Sequence, residues 1–542
     1  MNFTRYFHTL RHLRPVQVYG RLWFRLNPAR PNVRPVLVAR LFSGPRVLPV
    51  ERPAVIDGDT FHFMNTAGQV LCAADWNDPG QEKLWLYNLH YFDDLNALRA
   101  VERVALHRTL IARWVTENPP GVGNGWEPYP TSLRIVNWVK WVLAGNALEP
   151  GWIHSLGIQA RWLRRRIEWH LLGNHLFTNA KALVFAGLFF EGNEAAEWLA
   201  KGLKILGREV PEQVLADGGH FELSPMYHAI ILEDLLDMVN AAGAWPGRVP
   251  ESAVMQWRET ASRMLNWLKG LSHPDNGIAF FNDAALEIAP DYGMLEMYAK
   301  RLEITPGVGR GNGPVTCFSD SGYVRLERGD AMALLDVAPV GPDYLPGHAH
   351  ADTLSFELSL FGQRVVVNSG TSQYGVGPER LRQRGTAAHS TVQIDGADSS
   401  EVWGGFRVAR RARPFGLEIV EEDDVLTVVC DHDGYLRLAG YPIHRRCWRL
   451  SHDSLQVTDT IKGSFRAAVA RYHFHPMVTV SGEGDEGLLR LPDGQAVRWS
   501  AVGGVVRVLP STWHPEFGRS IPNECLEVLF DGPSITIAFA WE

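Results

Sequence analysis

The chain has 542 residues, of which 46% are hydrophobic and 21% are charged, a composition typical of a globular protein and not of a disordered one. This length predicts two or three domains, each with its own core. The net charge of -7, from 53 basic and 60 acidic residues, argues against a nucleic-acid partner. The 5 cysteines are scattered and never spaced as CxxC, so neither a disulfide framework nor a thiolate metal site is expected.

The amino-terminal residues 1–26 are basic and aromatic. They lack the continuous apolar stretch, followed by small residues, that is typical of a cleavable signal peptide. No later segment is long and apolar enough to predict a membrane span. The sequence therefore leaves the route of export open, and it does not indicate an oligomeric state.

Residues 84–302 have the periodicity of helices. The segment 131–143 begins with hydroxyl residues after a proline, as a helix should, and the segment 176–190 is apolar nearly all round, which predicts a buried helix. Further helices are predicted at 195–206, 226–242 and 253–271. Many helices joined by short loops predict a bundle, a solenoid or an α/α toroid, and the pattern does not choose among these.

The pattern changes after the glycine-rich residues 305–314. Short runs follow that alternate or are briefly apolar, and turn residues separate them. These runs lie at 322–327, 331–336, 426–430, 455–461, 467–475, 505–509 and 535–541. Such a succession predicts an antiparallel β-sandwich.

The most informative motif is GHAHAD at residues 347–352, followed at 353–362 by an alternating run that predicts a half-buried strand. If the motif shares the strand geometry, His348, His350 and Asp352 point to one face. Two imidazoles and a carboxylate on one surface would bind a metal or transfer protons. The alternative interpretation is a polar strand end whose histidines cap backbone groups.

Two motifs in the helical half carry further candidates. Asn174 and His175 open the apolar helix, and either Asn174 is an ordinary N-cap or the pair binds an anion at the positive end of the helix dipole. Residues 217–228, DGGHFELSPMYH, form an irregular loop that leads into the next helix at Tyr227. A loop that carries two histidines, a glutamate and a tyrosine favours a functional role over a packed aromatic corner.

Four motifs occur in order along the chain: GNHLFTNAKALVFAGLFF, DGGHFELSPMYH, PGHAHADTLSFELSLFGQRVVVNSGT and AAHSTVQIDG. Together they resemble the heparinase II/III-like family of polysaccharide lyases. The resemblance implies an α+β two-domain fold, with an N-terminal (α/α) toroid of helical hairpins followed by a C-terminal antiparallel β-sandwich. It divides the chain into an N-terminal extension with short helices at 1–83, a catalytic toroid at 84–305 and the β-sandwich at 315–542.

The resemblance also implies a reaction, the β-elimination of an acidic polysaccharide. A base removes the C5 proton of a uronic acid, and the glycosidic oxygen leaves C4 as an acid protonates it. The C5 proton is weakly acidic unless the carboxylate is neutralised and the developing enolate is stabilised. Asn174 and His175 match the family's pair that handles the carboxylate. Tyr227 matches its tyrosine base, acid or both, and His348 matches the histidine offered from the β-domain.

Contacts to the substrate are predicted for a second group of residues: Arg134, Glu222, His228 and Arg384. Arginines in a cleft would favour sulfated or carboxylated chains. The identity of the polysaccharide is not readable, and a bacterium's own exopolysaccharide is one hypothesis. The family suggests the periplasm or cell envelope, whereas the missing signal peptide keeps the cytoplasm open.

A metal site is implied because some family members hold a divalent ion in the β-domain. His350 and His389 match its histidines, and the position of its aspartate corresponds to Asn368. An amide is a weaker, uncharged ligand, and Asp352 is an alternative. We predict at most one structural divalent ion, with zinc as the favoured metal. It would connect the strands that present His348. No organic cofactor is expected.

Three rival functions stay open. An α/α-toroid glycoside hydrolase needs a pair of acidic residues, and the candidates for this pair are Asp283 and Glu127. A uronate epimerase would share the proton abstraction but leave the chain length intact. A non-catalytic polysaccharide-binding or assembly protein would not need the proton-transfer residues at all.

Overall fold

The computed structural model describes residues 3–35, 37–307 and 313–542. Helices dominate its first part. The α-helices in these residues are α1 (Phe3–Leu10), α2 (Pro15–Leu26), α3 (Lys83–Tyr91), α4 (Val104–Glu117), α5 (Pro128–Leu143), α6 (Pro150–Arg165), α7 (Gly173–Phe189), α8 (Asn193–Gln213), α9 (Pro225–Ala244), α10 (Glu251–Gly270), α11 (Tyr292–Arg301) and α12 (Pro378–Arg384). Among them, not one combines the length and the apolar character that a membrane span requires.

Strands dominate the second part. A small sheet comes early in the chain, formed by β1 (Ile56–Asp57), β2 (Thr60–Phe63) and β3 (Thr66–Gln69). The later strands are β4 (Val315–Phe318), β5 (Tyr323–Arg328), β6 (Ala331–Asp336), β7 (Phe356–Leu360), β8 (Gln363–Val367), β9 (Val392–Ile394), β10 (Val402–Trp403), β11 (Arg407–Val408), β12 (Pro414–Glu422), β13 (Val425–His432), β14 (Ile443–Leu450), β15 (Ser454–Lys462), β16 (Ala468–Phe474), β17 (Thr479–Glu483), β18 (Glu486–Arg490), β19 (Ala496–Val502), β20 (Val505–Trp513), β21 (Ile521–Phe530) and β22 (Ser534–Trp541). The small sheet is not indicated by the sequence pattern.

The helical domain is built around α7, whose residues are almost all buried, as its apolar sequence predicts. It packs on α5, α6, α8 and α9, and α9 packs in turn on α10. Gly187 and Gly202 let α7 and α8 approach closely, because a Cβ on Gly202 would lie 2.7 Å from the Ala180 carbonyl oxygen. These paired helices confirm the expected helical N-terminal domain.

Two large antiparallel sheets form the β-domain and confirm the expected sandwich. One has the strand order β12-β13-β14-β15-β22-β19-β18-β17, and the other has the order β20-β21-β16-β8-β7-β6-β5-β4, with β9 beside β16. Apolar side chains from both sheets fill the space between them. The glycine-rich residues 305–314 precede this domain, and 308–312 lie outside the described residues.

The central strands β6, β7 and β8 of the second sheet are covered on both faces, which corrects one prediction. Every residue of β7 is buried, although its alternation predicts a half-buried strand. The cause is the helical domain, which packs on the face that would otherwise meet water. Trp267 of α10 and Leu271, which follows this helix, join Phe318 and Leu334 of the sheet there in one apolar cluster. A polar residue on that face, such as Glu357, is therefore hydrogen-bonded to the helical domain and not solvated.

Trp267 lies at the centre of this domain interface, and we expect it to stabilise the contact. Its side chain is fully buried and donates a hydrogen bond of 2.8 Å to the Ser321 hydroxyl. Trp267→Ala should lower the free energy of unfolding by about 3–5 kcal/mol, measured by urea denaturation followed by circular dichroism. As a control, Trp23→Ala removes a tryptophan that is 68% exposed and should cost about 0.5 kcal/mol or less. Equal losses in the two variants would contradict the interface.

Candidate active site

The first turn of α7 carries Asn174 and His175. The residue before the helix is Leu172, with φ of 60°, so Asn174 is not the N-cap of this helix. Its backbone N–H and its Nδ2 both donate to Oε1 of Glu222 at 3.3 Å. A side chain on Gly173, at φ of 50°, would collide with the same oxygen at 2.7 Å, so glycine is required for this approach.

Glu222 connects the two domains. It is buried in the loop before α9, and its second oxygen, Oε2, lies 3.4 Å from Nε2 of His348. The carboxyl group thus lies between the amide of Asn174, from the helical domain, and an imidazole from the β-domain. This position makes Glu222 an orienting group inside the site.

Tyr227 lies in the first turn of α9, where the Ser224 hydroxyl accepts a hydrogen bond from its backbone N–H at 3.2 Å. Its ring lies against that of His348, with the centroids 3.8 Å apart, and its hydroxyl is 2.9 Å from the Tyr374 hydroxyl. Burial, followed by the proximity of Tyr374 and Asp283, raises the pKa of Tyr227 well above its ordinary value. The phenol therefore holds its proton strongly.

Asp283 holds the histidines of the β-domain in place. Its carboxylate accepts from Nδ1 of His348 at 2.9 Å, from Nε2 of His350 at 2.8 Å and from two nitrogens of Arg380, one of them at 2.7 Å. Burial alone would raise the pKa of Asp283, but Arg380 and the two histidines keep that pKa well below its ordinary value. The charged carboxylate fixes the proton of His348 on Nδ1 and leaves Nε2 directed at Glu222.

Backbone contacts explain how this loop is held. Asp283 donates its N–H to the His348 carbonyl at 2.9 Å, and Asn282 donates its N–H to Asp352 at 2.8 Å. In return, the His350 N–H donates to the Asn282 side chain at 3.0 Å. Residues 347–353 are therefore not a strand, in contrast to the expectation from their alternation. Their backbone groups bond to Asn282 and Asp283 of the helical domain and to Arg384 and Thr386 of the β-domain, and not to a neighbouring strand.

His175 is the most accessible of the candidate groups, with 34% of its side chain exposed. Burial lowers its pKa, but the carboxylate of Glu168, 3.3 Å from Nδ1, outweighs this effect and leaves the pKa of His175 raised. The ring also packs on Tyr129 at 4.6 Å. A positive charge is therefore favoured at the edge of the site.

Three of the residues predicted to contact the substrate are buried side chains with hydrogen bonds inside the protein. Arg134 is fully buried and donates to Gln159 and to backbone carbonyls, because it holds the core of the toroid together. His228 is also fully buried, stacks on Trp267 and lies 2.9 Å from the Met264 carbonyl. Arg384 donates to the carbonyl of Ala349 and to other backbone carbonyls, so it supports the histidine loop from behind.

The predicted metal ligands lie together only in part. His350, Asp352 and His389 are buried and offer ligand atoms within 4.8 Å of one another. The Asn368 side-chain oxygen instead accepts from the Ser390 N–H at 3.0 Å, and its nitrogen donates to Ser355. The group therefore contains Asp352, the alternative carboxylate, in place of Asn368.

Sequence reasoning missed two contributors and misjudged a third. Tyr374 lies in the loop after β8, and the only signal for it is an aromatic residue within a polar, glycine-flanked segment. Glu168 precedes α7 in a turn that carries no motif. Asp283 stands out only as a candidate glycosidase acid, and its contacts with Arg380 and two histidines are visible only in three dimensions.

The chain matches two family models, Heparinase II/III-like, C-terminal, over residues 310–542 and Heparinase II/III N-terminus over residues 142–306. It therefore belongs to the heparinase II/III-like family. The heparin-sulfate lyase of Pedobacter heparinus is 26% identical over 350 residues, which cover 58% of this chain and 50% of that protein. That of Bacteroides stercoris is 28% identical over 260 residues, or 45% of this chain and 37% of that protein. The chain thus spans half or less of the length of these curated relatives.

Another relative covers more of the chain. FtsZ-localized protein C of Caulobacter vibrioides is 25% identical over 488 residues, which are 84% of this chain and 78% of that protein. Among solved structures, heparinase III has a TM-score of 0.66 at 16% identity and covers 98% of this chain and 85% of its own. The heparan sulfate lyase HepC of Pedobacter heparinus has a TM-score of 0.58 at 18% identity, with 89% and 81% covered. At these identities the likeness shows a shared fold.

Removal of the charge on Asp283 tests its position in the site. Asp283→Asn leaves Arg380 buried without its counter-charge and should lower the free energy of unfolding by about 3–5 kcal/mol at neutral pH. The folded pKa of Asp283 lies below the unfolded value of about 3.9, so its contribution is complete above that pH and is lost as the pH falls toward the folded pKa. The difference in the free energy of unfolding between wild type and variant should therefore shrink below about pH 4.

Urea denaturation at a series of pH values measures this gap. Asp275→Asn is the control, because Asp275 also pairs with an arginine, Arg364, but half of its side chain is exposed. The control should lose less stability than Asp283→Asn. A gap for Asp283→Asn that stays constant down to acidic pH would contradict the assignment.

Proposed function

We propose that the chain is a polysaccharide lyase that cleaves a uronic-acid polymer by β-elimination. The observation that carries the proposal is the contact of the Tyr227 ring with the His348 ring, whose centroids are 3.8 Å apart, with Asn174 joined to His348 through Glu222. Two proton-transfer groups and an amide donor thus come together from two domains. This combination suits the removal of a proton next to a carboxylate and the protonation of a leaving oxygen.

His348 is the base in this proposal. Asp283 accepts from Nδ1, so Nε2 is the nitrogen that takes the C5 proton. The electron pair of the broken C5–H bond forms the C4–C5 double bond, and the C4–O bond breaks with its electrons on the glycosidic oxygen. Because the carboxylate of Asp283 stabilises the imidazolium that forms, the pair resembles the histidine–carboxylate pairs of acyl-transfer enzymes.

Tyr227 is the acid. Its raised pKa disfavours a phenolate, so its hydroxyl acts as a donor to the departing oxygen. Tyr374, whose hydroxyl lies 2.9 Å away, is the neighbour from which Tyr227 can recover a proton. The reaction then leaves one fragment with an unsaturated uronate at its new end and the other with a free hydroxyl.

Asn174 and His175 bind the carboxylate of the substrate. The amide of Asn174 is oriented by Glu222, and the positive charge favoured on His175 attracts an anion at the edge of the site. Both lie in the first turn of α7, where the helix dipole adds a positive partial charge. Neutralisation of the carboxylate makes the C5 proton more acidic, which is the requirement of the reaction.

Hydrolysis fits these groups less well. A glycosidase needs a carboxylic acid that can donate a proton. Asp283 is buried, is bound to Arg380 and has a pKa far below the value that such an acid needs. The second acid considered from the sequence, Glu127, pairs with Lys83 at 3.0 Å. An epimerase would use the same base, but its product would keep the full chain length.

A second candidate function is a role in assembly without catalysis. It is favoured by the breadth of the likeness to FtsZ-localized protein C, which covers 84% of this chain. Such a role would not require Tyr227 or His348 to transfer protons. The two functions therefore differ in whether substitution of these residues changes what the protein does.

The substrate is an acidic polysaccharide, and the relatives named as heparin-sulfate lyases favour a uronic acid with sulfate or carboxylate groups. A bacterial exopolysaccharide is the natural source to test first. A screen should include alginate, heparan sulfate, hyaluronan and bacterial exopolysaccharides. The unsaturated uronate absorbs ultraviolet light, so each polymer can be followed directly.

Substitution of the two proton-transfer residues tests the reaction. Tyr227→Phe and His348→Gln should each lower kcat by roughly 10²–10⁴-fold, because each removes one acid or base. The rate is followed by ultraviolet absorbance on the best polymer of the screen. Matched controls are Tyr441→Phe and His452→Gln, which change exposed residues of the same types and should leave kcat unaltered. Undiminished turnover in Tyr227→Phe would contradict the role of the phenol.

The metal belongs to the same proposal. Nδ1 of His350 and Nε2 of His389 lie 3.2 Å apart, a spacing that two nitrogen ligands of one tetrahedral zinc ion can adopt. His350 donates its other ring N–H to Asp283, the arrangement that orients metal-binding histidines. Asp352 supplies the carboxylate, and a cation there would offset the cost of its burial. A bound zinc would stabilise the loop that carries His348.

Metal content tests this assignment without reference to activity. The purified protein should contain a stoichiometric amount of zinc by plasma mass spectrometry, and His389→Ala should remove most of it, because one nitrogen ligand is lost. A chelator should lower the Tm of the wild type and leave that of His389→Ala unchanged. His452→Ala, at an exposed histidine, is the control. Zinc retained in full by His389→Ala would contradict the site.

A further inference from the structure

The helices α1 and α2 lie across both domains. Gln17 of α2 donates to the Tyr344 carbonyl at 2.9 Å in the β-domain, and Phe24 packs under Arg166 of the helical domain at 3.4 Å. Tyr6 of α1 packs on Trp403 with the ring centroids 4.9 Å apart. One face of each helix is therefore attached to the rest of the molecule.

The other face of α2 is apolar and exposed to water. Val18, Leu22 and Leu26 recur every fourth residue, and Tyr19 and Trp23 follow the first two directly, so the five side chains form one continuous stripe. Their exposed fractions run from 53% for Val18 to 79% for Leu26. Water-exposed stripes of this kind are uncommon on proteins that bind nothing there.

The shorter helix α1 repeats the pattern. Phe3, Phe7 and Leu10 share one side of the helix and are 81%, 63% and 55% exposed. The two amphipathic helices thus both keep their apolar side chains in water, although each has a second face that is attached. No partner within the described residues covers these side chains, and they form the largest concentration of exposed aromatic residues there.

Positive charge accompanies the stripe. Arg21 and Arg25 lie along its edge, because Arg25 follows Leu22 by one turn of the helix. The first fifty residues of the chain carry nine arginines and no aspartate or glutamate, although the whole chain has a net charge of -7. This segment is therefore strongly basic against an acidic remainder.

A basic hollow of about 310 Å³ adjoins α1 and continues this charge into the β-domain. It is lined by His8 of α1, by Arg11 just after that helix, and by Arg437. Arg410 also lines it but pairs with Glu401 at 2.6 Å, and the carboxylate in the lining is Asp433. The positive potential is thus not confined to the helices that carry the stripe.

We propose that α1 and α2 form a docking surface for an anionic lipid membrane, into whose headgroup and acyl boundary the exposed stripe inserts. Amphipathic helices with Phe, Trp and Leu on one face and basic residues beside them bind such interfaces. The arginines would meet the anionic headgroups, and the apolar side chains would leave water.

Two other occupants fit the surface less well. An acidic polysaccharide would satisfy the arginines but would leave the stripe of Leu22, Trp23 and Leu26 uncovered. A second copy of the chain would cover the stripe but would bring two sets of arginines together, in a segment without acidic residues to pair with them. A membrane satisfies both features at once. The proposal does not depend on the lyase activity.

Cosedimentation of the full chain with lipid vesicles tests the proposal. Vesicles of mixed phosphatidylcholine and phosphatidylglycerol should bind the protein at least about tenfold more tightly than vesicles of phosphatidylcholine alone, because several arginines lie near the surface. The double variant Leu22→Glu/Trp23→Glu should bind the mixed vesicles at least about tenfold more weakly than the wild type, since charges replace side chains that insert. Arg21→Glu/Arg25→Glu should lower the affinity for the mixed vesicles by a similar factor and remove most of the preference for the anionic lipid.

The controls separate insertion from general effects. Met477→Glu/Val505→Glu changes two residues of the β-domain that are 62% and 59% exposed and should bind as the wild type does. Tyr19→Ser/Leu26→Ser is a second stripe variant without added charge, and its circular dichroism should match that of the wild type.

Three outcomes would overturn the proposal. One is a wild type that does not sediment with the mixed vesicles. Another is a stripe variant that sediments as well as the wild type. The third is a wild-type dimer in light scattering that the stripe variants dissociate, which would identify a second copy as the occupant.

Discussion

The structure of the site depends on one buried carboxylate. Asp283 comes from the helical domain, yet its ligands, His348, His350 and Arg380, all come from the β-domain. A buried charge of this kind is costly unless every lone pair is matched, and here four nitrogens match it. The interaction therefore joins the two domains and sets the orientation of the His348 imidazole.

The remaining groups follow from that constraint. With His348 in place, Tyr227 packs on its ring and Glu222 reaches its second nitrogen, while the same Glu222 orients Asn174. Neither domain alone contains this set, since His348 comes from a loop of the β-domain and Tyr227 from a helix of the toroid. The wide apolar contact around Trp267 supports the same geometry from behind. The membrane surface proposed for α1 and α2 lies outside this set but is attached to both domains, so binding there would orient both domains together.

The two domain types and several site residues could be predicted from the sequence, for different reasons. The change from helical to alternating periodicity is a local property, so the two domain types were accessible. Asn174, His175, Tyr227 and His348 lie in motifs whose resemblance to a family is visible in the letters alone, and the structure brings them together. The burial of Arg134 and Arg384 against backbone carbonyls could not be predicted, because an arginine looks the same in sequence whether it contacts a ligand or donates to carbonyls in a core.

Other features required the third dimension. The GHAHAD segment alternates like a strand, but Asn282 and Asp283 capture its backbone groups, and no local pattern reveals a competitor that lies 65 or more residues away in the chain. The same holds for β7, which is buried on both faces because another domain covers it. Tyr374 and Glu168 contribute through contacts that no motif marks.

The central claim is that Tyr227 and His348, held by Asp283, carry out an elimination. Mass spectrometry of the fragments formed in water labelled with heavy oxygen tests this claim most directly. Elimination predicts that one fragment of each cleavage lacks the elements of water and that neither fragment contains the label. Fragments that carry the heavy oxygen and no unsaturated end would mean that water attacks the bond, and they would contradict the account.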